Sequence, residues 1–394
     1  MSHNDGETGI IEAIWLRNFL SFGPDAEPLA LKSLNVLIGP NGSGKSNFLE
    51  AVSLLRSSPV DMRAVIRRGG GVGDWIWKGN AEDAAIINVV IRNLQRKMSL
   101  NHFLSFRNDN QSFRLLAERI DNYKDHLGEE EPYSYYDFKN GKPVINIKSE
   151  LRQINPETVE ADKSILAQRR DPEIYPEISY LANIYDRIRI YREWCFGRNS
   201  IFREPQKADM RNDRLEEDFS NLGLFLNRLR RVPRAKNMIL EALRDLYEGL
   251  DDFDVSIEGG AVQVFFTEGD FVIPATRLSD GTLRYLCLLA VLCDPSPPPL
   301  ICIEEPELGL HPDILPKLAD LLIDASKRTQ LIVTTHSDIL VDSMTDMPEA
   351  VLICEKHQGQ TRIKRLDCKE LENWLKDYRL GELWTRGALG GTRW

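Results

Sequence analysis

This sequence of 394 residues has few cysteines and no long apolar run. Its six cysteines form no C-x-x-C pair, and several of them lie inside apolar runs, where a buried thiol is the usual finding. We therefore expect neither disulfide bonds nor a zinc site. No apolar run approaches the roughly 20 residues of a membrane-spanning helix, and the N-terminal stretch MSHNDGETGI is polar, unlike a signal peptide. These absences predict a cytoplasmic protein with no membrane contact.

The sequence also lacks an excess of positive charge and a sustained coiled-coil pattern. With 50 Lys and Arg against 60 Asp and Glu, the net charge is −10, so any contact with nucleic acid has to come from local basic patches. No apolar a/d heptad persists over three or four repeats, which argues against long coiled-coil arms and favours a compact second lobe. The length and the 42% of hydrophobic residues allow two or three lobes with a large core.

The stretch VLIGPNGSGKSNFLEAV, residues 36–52, has the pattern of a phosphate-binding loop. A short apolar run, typical of a buried strand in a parallel sheet, precedes the spacing G-x-x-x-x-G-K-S, and apolar residues at helical spacing follow it. The glycines allow successive backbone N–H groups to curl round a phosphate, to which the helix N-terminus adds its positive end. A glycine-rich turn that matches by chance is the alternative, and the flanking strand and helix disfavour it.

The side chains of this loop have separate chemical tasks. Lys45 reaches the β- and γ-phosphates, and the hydroxyl of Ser46 supplies an oxygen ligand to Mg²⁺. The loop therefore predicts that a polyphosphate binds here together with Mg²⁺. The residues predicted to bind it are Gly39, Pro40, Asn41, Gly42, Ser43, Gly44, Lys45, Ser46 and Asn47.

A second group of motifs lies toward the C-terminal end of the chain. LSDGTLR, residues 278–284, is followed by an apolar stripe of helical period, with Ser279 where a helix N-cap belongs. The buried-strand pattern LICI leads into Glu304 and Glu305, and the strand QLIVTTHS brings His336 to the same sheet edge, where ligands bind. One carboxylate can hold the Mg²⁺ water shell while its neighbour orients or deprotonates an attacking water. The imidazole can meet a γ-phosphate.

Each of these features has an ordinary alternative when it stands alone. An acidic pair after a strand is commonly a helix cap or a solvated turn, a single histidine is commonly a bystander, and a serine at a helix start is a cap. The order of the motifs along the chain favours a functional role over these ordinary alternatives. A phosphate loop comes first, then Ser-x-Gly at a helix start, then a strand with two carboxylates, and then a strand with a histidine. This order is shared with ABC-type ATPases.

Most of the chain resembles the RecF-like and SMC-like predicted ATPases of the AAA-15/AAA-21 group, which includes genome-maintenance and phage-defence ATPases. GPNGSGKS resembles the Walker A motif, LSDGTLR the signature motif, LICIEEPELGLHP the Walker B motif with its D-loop, and TTHS the histidine switch. Outside these motifs, IRIYREWCFGR, REPQKAD and the tail LGELWTRGALGGTRW are also similar to this group.

The resemblance implies an α/β fold of the ABC-type P-loop ATPase head, with a mixed or parallel sheet and flanking helices. An inserted, mainly helical second lobe interrupts this head, and there is no long coiled coil. The implied domains are residues 1–80, the N-terminal half of the head with Walker A; 81–265, the inserted lobe and connecting strands; and 266–394, the C-terminal half with the other motifs.

By the same resemblance, ATP and Mg²⁺ are the cofactors, and the motif residues take the family's roles. Lys45 and Ser46 bind the phosphates and Mg²⁺, and Glu304 supports the metal. Glu305 is the general base, and His336 senses the γ-phosphate. Many relatives have Asp in place of Glu304, so the reach to the metal is one methylene longer here while the charge is unchanged.

Family members of this type close as head-to-head homodimers with two ATP molecules between them. Ser279 and Gly281 would then contact the γ-phosphate bound to the second subunit. Asp280 and Thr282 replace the Gly and Gln of the transporter-type signature, and the negative charge of Asp280 near a phosphate would slow hydrolysis or require a partner. His311 stands where the D-loop usually has Asp.

Two basic stretches lie between the ATP-binding halves. Arg187–Arg203 carries five arginines against one acid, with Tyr191, Trp194 and Phe196 interleaved, and Asn227–Lys236 carries five basic residues and no acid. Basic and aromatic side chains together can hold a nucleic-acid backbone and stack on bases, so duplex DNA is one predicted partner. The alternative is that these arginines pair with the protein's own carboxylates.

These features predict an ATPase that works as a conformational switch and controls DNA, or an effector protein encoded nearby, in DNA repair or anti-phage defence. A nucleotide-binding subunit of a membrane transporter is an alternative, and an ATP-gated scaffold without DNA contact is another. More than two hundred residues separate Lys45 from Ser279, which disfavours the transporter reading because such subunits have only a short helical insert there. A nuclease in the second lobe finds no support, because no metal-site carboxylate cluster is evident outside the ATP motifs.

Overall fold

The computed structural model describes residues 9–79, 84–123, 132–139, 141–147, 150–153, 155, 158–194, 197, 200 and 203–391. The chain divides into two compact units. The first unit comprises Met1–Ile188, Glu349–Leu366 and Gly387–Trp394, and the second comprises Arg189–Pro348 and Asp367–Arg386. The division into domains at residues 80 and 265 stays a prediction.

Strands and helices are numbered along the chain. The strands are β1 (Ile11–Arg17), β2 (Leu29–Ala30), β3 (Leu34–Ile38), β4 (Ala85–Ile91), β5 (Leu100–Asp109), β6 (Ser112–Asn122), β7 (Ser134–Lys139), β8 (Lys142–Ile147), β9 (Glu150–Gln153), β10 (Arg189–Tyr191), β11 (Gln206–Lys207), β12 (Asp252–Glu258), β13 (Ala261–Glu268), β14 (Phe271–Pro274), β15 (Leu300–Glu304), β16 (Gln330–Thr334), β17 (Val351–His357) and β18 (Gln360–Arg365). The helices are α1 (Lys45–Ser57), α2 (Met62–Arg68), α3 (Val72–Trp75), α4 (Ile165–Gln168), α5 (Pro176–Arg187), α6 (Leu222–Leu229), α7 (Pro233–Leu246), α8 (Asp280–Leu292), α9 (Leu315–Ser326), α10 (Asp338–Asp342), α11 (Cys368–Leu371) and α12 (Leu380–Thr385).

The first unit contains a large antiparallel sheet with the strand order β2-β1-β4-β5-β6-β7-β8-β9. At the start of β5, the alternate residues Leu100, His102 and Leu104 are buried. This two-residue period is expected of a sheet that packs one face on a core. The pairing of β5 with β6 places Leu104 opposite Glu118, and a bulge follows between Ser105 and Phe106.

Three other strands of the first unit position the phosphate loop. All five residues of β3 are buried, as predicted from its apolar run. β17 lies parallel to β3, with Leu352 opposite Leu37, and β18 is antiparallel to β17. Because β3 ends at Ile38 and α1 begins at Lys45, the glycine-rich segment connects a buried strand directly to a helix.

The second unit holds three parallel strands and a small antiparallel sheet. β15 lies parallel to β16 on one side, with Cys302 opposite Ile332, and parallel to β10 on the other. The antiparallel sheet has β13 paired with β11, β12 and β14. From Leu283 to Leu292 every residue of α8 is buried, so this helix forms part of the core of the unit.

The observed architecture confirms an α/β fold with parallel strands and flanking helices. In the described part of the chain the longest helix is α7, with 14 residues, so this part contains no long coiled coil. The same part contains no helix that is long and apolar enough to cross a membrane. Within residues 81–265 the described strands hold more residues than the helices, because β5 and β6 follow a two-residue alternation that the prediction of a mainly helical lobe did not include.

Candidate nucleotide-binding and hydrolysis site

The phosphate loop depends on backbone conformations that favour glycine. Gly39, Gly42 and Gly44 have φ angles of 145°, 76° and 106°. A Cβ atom on Gly39 would lie 2.2 Å from the carbonyl oxygen of Cys354, and one on Gly44 would lie 2.2 Å from Oγ1 of Thr361. The loop therefore needs all three glycines for its conformation, and Gly39 and Gly44 also for its close packing on β17 and β18.

Lys45 is 5% exposed, and its ammonium group stays at the loop. Its Nζ donates hydrogen bonds to the carbonyl oxygens of Gly39, at 2.8 Å, and Pro40, at 3.1 Å. The helix that Lys45 begins has Gly44 as its N-cap, without a side-chain cap and without an acidic residue in the first turn. A positive charge and an uncapped helix N-terminus therefore meet in one short segment, which favours an anion.

Ser43 gives a direct indication that the loop fits a phosphate. Its hydroxyl is buried and has no hydrogen-bond partner among the residues that the structure describes. A buried hydroxyl without a partner is costly, and a phosphate oxygen at this position would satisfy it. Asn41 and Ser46 are exposed beside it. These residues fit the predicted ATP and Mg²⁺, with Ser46 presenting a hydroxyl at the helix start.

Two residues outside the motif support the loop, and sequence reasoning missed both. Oγ1 of Thr361 donates to the carbonyl oxygen of Ser43 at 2.9 Å and lies 2.7 Å from Oγ of Ser21. Asn47 was predicted to bind the nucleotide; its Nδ2 donates to the same Ser21 oxygen at 2.7 Å. No sequence signal connects Ser21 with Thr361, because they lie at opposite ends of the chain and meet only through the fold.

The end of the described chain also packs against the loop. The backbone N–H of Gly391 donates to Oε1 of Glu355 at 2.5 Å. A Cβ atom on Gly391 would lie 3.6 Å from Cα of Gly39, the first residue of the loop. Glycine is required here for another reason, since Gly391 has φ 58° and a Cβ atom on it would lie 2.8 Å from Cγ2 of Ile353.

In the second unit, β15 brings the two predicted carboxylates to its carboxyl end. Glu304 is the last residue of the strand and lies opposite Thr334 of β16. Glu305 follows with φ 47°, a left-handed conformation that is unusual for a residue other than glycine. Its backbone N–H donates to the carbonyl oxygen of Thr334 at 3.0 Å, which keeps it beside β16.

His336 and Glu305 meet as the sequence predicts. Nε2 of His336 lies 3.4 Å from Oε1 of Glu305, and each side chain is 31% exposed. The parallel register of β15 and β16 causes this meeting, since each strand delivers its polar residue just beyond its last paired position. A carboxylate and an imidazole at this distance can share and move a proton of a bound water.

Glu307 is a site residue that sequence reasoning missed. Its Oε1 accepts hydrogen bonds from Oγ1 of Thr335 and from the backbone N–H of His336, both at 2.7 Å. Its Oε2 is buried and has no partner among the described residues. Burial raises the pKa of the Glu307 carboxyl above its ordinary value, and the nearby Glu305 acts in the same direction. Through its bond from the His336 N–H, the Glu307 carboxyl group holds the backbone that carries His336.

We expect Glu307→Ala and Glu307→Gln to separate the loss of the hydrogen-bond acceptor from the effect of the raised pKa of Glu307. Alanine removes the acceptor for two donors and should cost about 1–3 kcal/mol of stability. Glutamine keeps an acceptor and resembles the protonated carboxyl. Because the folded-state pKa is raised, the stability that the neutral carboxyl contributes is complete below the ordinary glutamate pKa and is lost as pH rises through the raised pKa.

Denaturant unfolding at several pH values checks this prediction. Relative to the parent protein, Glu307→Gln should become more stable as the pH rises from acidic to neutral. A difference between Glu307→Gln and the parent that does not change with pH would contradict the raised pKa.

Ser279 is the N-cap of α8, which confirms the ordinary reading of this residue. Its Oγ accepts a hydrogen bond from the backbone N–H of Thr282 at 3.1 Å. It also lines an open cavity of about 470 Å³ together with Gly281, Gly309 and His311. A Cβ atom on Gly281 would lie 3.0 Å from the carbonyl oxygen of Gly309, so glycine permits the close packing of the signature and D-loop segments. A cap and a contact with another subunit are compatible roles.

The two residues that depart from the family motifs, Asp280 and His311, have partners in the same unit. Oδ1 of Asp280 lies 2.6 Å from Nη2 of Arg203, whose guanidinium also donates to the carbonyl oxygens of Thr276 and Leu278. The negative charge of Asp280 is therefore compensated locally. His311 caps the turn that follows it and lies 3.3 Å from Oδ2 of Asp313.

The basic stretch at 227–236 is largely neutralised by the protein itself. Arg228 pairs with the buried Asp294 at 3.0 Å, Arg230 pairs with Asp254, and Lys236 pairs with Asp252 at 2.7 Å. The exposed basic residues that remain in this stretch are Arg231 and Arg234.

In the stretch at 187–203, described basic and aromatic residues are also buried or in contact with other parts of the same unit. Arg189 is buried, Arg203 binds the signature segment, and Trp194 stacks on Phe219. Arg198 and Phe196 lie outside the described residues. These contacts favour the alternative that the arginines pair within the protein.

A glycine-rich loop follows a buried parallel strand, and a carboxylate lies beside a histidine beyond the ends of two other parallel strands. A family model described as "AAA domain, putative AbiEii toxin, Type IV TA system" matches residues 34–342. Because this match covers most of the chain, the chain belongs to that family. A search of curated proteins found no match.

Solved structures of SMC heads share the fold. The SMC head bound to the C-winged helix domain of ScpA is 16% identical, has a TM-score of 0.54, and covers 92% of this chain and 99% of its own. The SMC head with an extended coiled coil, bound to the C-terminal domain of ScpA from Pyrococcus furiosus, is 15% identical with a TM-score of 0.56, covering 93% and 99%. Likeness at these identities establishes the fold.

Proposed function

We propose that this protein binds ATP with Mg²⁺ and hydrolyses it, and that the ATP cycle works as a conformational switch. The observation that carries the proposal is the pair of Glu305 and His336, whose side chains meet at 3.4 Å beyond two parallel strands of an AAA-family chain. The phosphate loop supplies the second requirement, because the Lys45 ammonium and the unsatisfied Ser43 hydroxyl fit a polyphosphate.

In this proposal, Glu305 orients the attacking water and accepts its proton, while His336 donates a hydrogen bond toward the γ-phosphate or shares the proton. Lys45 compensates the charge of the β- and γ-phosphates. Ser46 and Glu304 are the residues that would hold Mg²⁺, which when bound neutralises charge on the phosphate oxygens. Glu307 keeps His336 in place through its backbone.

The switch itself is proposed to be a homodimer that closes on ATP. Support comes from the open cavity beside Ser279 and Gly281, which leaves the signature segment accessible to a second copy. The resemblance to SMC-type ATPases supplies the head-to-head arrangement, in which these residues contact the partner's γ-phosphate.

The variant Ser279→Asp tests the dimer without removing the helix cap. Aspartate caps helices as well as serine does, so α8 should remain intact. Its charge would repel a phosphate from the second subunit, and we expect ATP-dependent association to disappear and hydrolysis to fall by about 10-fold or more. The measurements are light scattering with ATP, ATPase rate, and ATP affinity at low protein concentration.

Ser279→Thr is the matched control, because it keeps both the cap and the hydroxyl, and it should behave like the parent. If Ser279→Asp still associates with ATP and hydrolyses it normally, Ser279 is a helix cap and the proposed contact between subunits is wrong.

We propose a protein effector as the partner that the switch controls. The family description assigns its own members to a toxin–antitoxin system, and both SMC heads compared above are bound to domains of another protein. This favours defence over DNA repair. Duplex DNA is the second candidate partner, and it would rely on Arg231 and Arg234, since the neighbouring basic side chains pair with carboxylates of this chain.

A further inference from the structure

The backbone of the proposed general base is strained and must be held in place. Glu305 has φ 47°, a left-handed conformation that is unfavourable for a residue other than glycine. Such a residue keeps its conformation only where its surroundings determine it. The Glu305 N–H donates to the carbonyl oxygen and to Oγ1 of Thr334 in the neighbouring strand, and the backbone N–H of Leu308 donates to the Glu305 carbonyl oxygen. Two further bonds come from side chains outside the parallel strands.

These side chains are Trp194 and Arg284, and neither was predicted to act at the site. Nε1 of Trp194, which follows β10, donates to the carbonyl oxygen of Glu304 at 2.8 Å. Nη2 of Arg284, on the signature helix α8, donates to the carbonyl oxygen of Glu305 at 2.9 Å. The two peptide groups on either side of the Glu305 Cα are therefore each tied to a separate side chain.

The two donors also hold each other. The guanidinium carbon of Arg284 lies 4.5 Å from the centre of the Trp194 ring, a cation–π distance. Trp194 is in turn stacked on Phe219, with ring centres 5.4 Å apart. Arg284 is 6% exposed. Burial lowers the pKa of Arg284 to about 10, against the opposing effect of Glu307 and Glu305, so the guanidinium is charged at neutral pH.

We propose that Arg284 and Trp194 are positioning residues that fix the backbone at Glu304 and Glu305 and thereby aim the Glu305 carboxylate at the attacking water. This inference rests on the proposed function, because it assumes that Glu305 is the general base. Arg284 belongs to the same helix that Ser279 caps. Its hydrogen bond to the Glu305 carbonyl oxygen therefore also connects the signature segment to the carboxylates.

The test compares Arg284→Ala, Arg284→Lys and Trp194→Phe in the full-length protein. Alanine removes the donor and the stacking partner. Lysine keeps the charge but not the planar fork, and phenylalanine keeps the ring but not the N–H donor. The maximal ATPase rate and the ATP affinity are measured separately, and the Arg284→Ala rate is measured again with millimolar guanidinium, with urea as the comparison.

We expect the maximal rate of Arg284→Ala to fall by about 10²-fold, as for a misplaced catalytic group. Trp194→Phe and Arg284→Lys should fall less, by about 3- to 10-fold. ATP affinity should stay within about 2-fold of the parent, because uniform binding of substrate is not affected. Added guanidinium should restore part of the Arg284→Ala rate, and urea should not, because the ion can occupy the space over Trp194.

Arg328→Ala is the matched control for general loss of stability. Arg328 also donates to a backbone carbonyl oxygen in the second unit, that of Leu292 at 2.7 Å, but it does not bind residues 304 or 305. Its rate should equal that of the parent. If Arg284→Ala does not fold, Trp194→Phe decides the question, since it retains the aromatic packing.

The outcomes distinguish a failure of the proposed function from a failure of the positioning role alone. If the parent protein does not hydrolyse ATP, or if Glu305→Gln hydrolyses it at the parental rate, the proposed function fails. If Glu305→Gln is inactive while Arg284→Ala and Trp194→Phe keep the parental rate, only the positioning role is wrong. A loss of rate in Arg284→Ala that guanidinium does not restore, accompanied by a normal rate in Trp194→Phe, would also overturn it.

Discussion

Replacing Glu305 by glutamine is expected to lower the maximal rate of ATP hydrolysis by about 10²- to 10⁴-fold, the range that a general base usually contributes. Glutamine keeps the size of the side chain and the backbone bonds to Thr334 and Arg284, so the site should keep its shape. It can still lie beside Nε2 of His336, but it has no basic oxygen that takes a proton from water. ATP affinity should therefore remain close to that of the parent.

Two measurements check this expectation. Steady-state hydrolysis gives the maximal rate, and binding of a fluorescent ATP analogue gives the affinity. Glu241→Gln is the matched control, because Glu241 is an exposed carboxylate of α7 in the same unit. Unchanged hydrolysis in Glu305→Gln would show that another group activates the water. A loss of binding together with hydrolysis would show that Glu305 acts on the nucleotide itself.

Replacing Lys45 by alanine is expected to weaken ATP binding by about 10²-fold or more, because removing one partner of a buried, charge-assisted contact costs about 2–5 kcal/mol. Lys45 is 5% exposed, and its ammonium is held at the loop by the carbonyl oxygens of Gly39 and Pro40. Without it, the phosphates lose a partially desolvated positive charge. Those two carbonyl groups also lose a donor.

Equilibrium binding of ATP measures the effect. Lys78→Ala is the control, since Lys78 is an exposed lysine of the same unit that pairs with Asp74 at 2.7 Å. Thermal unfolding of both variants separates loss of affinity from loss of fold. An affinity of Lys45→Ala within about 3-fold of the parent would contradict the assignment of this loop as the phosphate site.

Several elements of the site could be predicted because their causes are local. The apolar runs of β3, β15 and β16 indicated buried parallel strands, and all three are observed. Ser279 was expected at a helix N-cap, and its Oγ accepts the bond that defines one. Periodicity, glycine spacing and cap chemistry depend on neighbours within a few residues, so they are visible in the sequence.

The inserted segment was harder to predict. Its helices were expected to dominate, but the described residues include the long strands β5 and β6, whose alternation was not weighed. The sequence left two interpretations of the basic stretches, a nucleic-acid surface or arginines that pair with the protein's own carboxylates. Composition cannot decide between them. The ion pairs of Arg228 with Asp294 and of Lys236 with Asp252 favour internal pairing, and they are invisible in the sequence because partners far apart in sequence meet only in the folded unit.

By itself, the sequence determined the phosphate loop, the strands that precede the functional residues, and the order of the motifs that indicates an ATPase. The tertiary structure alone decided that Trp194 and Arg284 hold the backbone at Glu305, and that Thr361 supports the phosphate loop. It also decided that Glu307 binds the backbone of His336. The physical reason is that a side chain's hydrogen-bond partner depends on strand register and on the direction of each Cα–Cβ bond, which only the packed fold specifies.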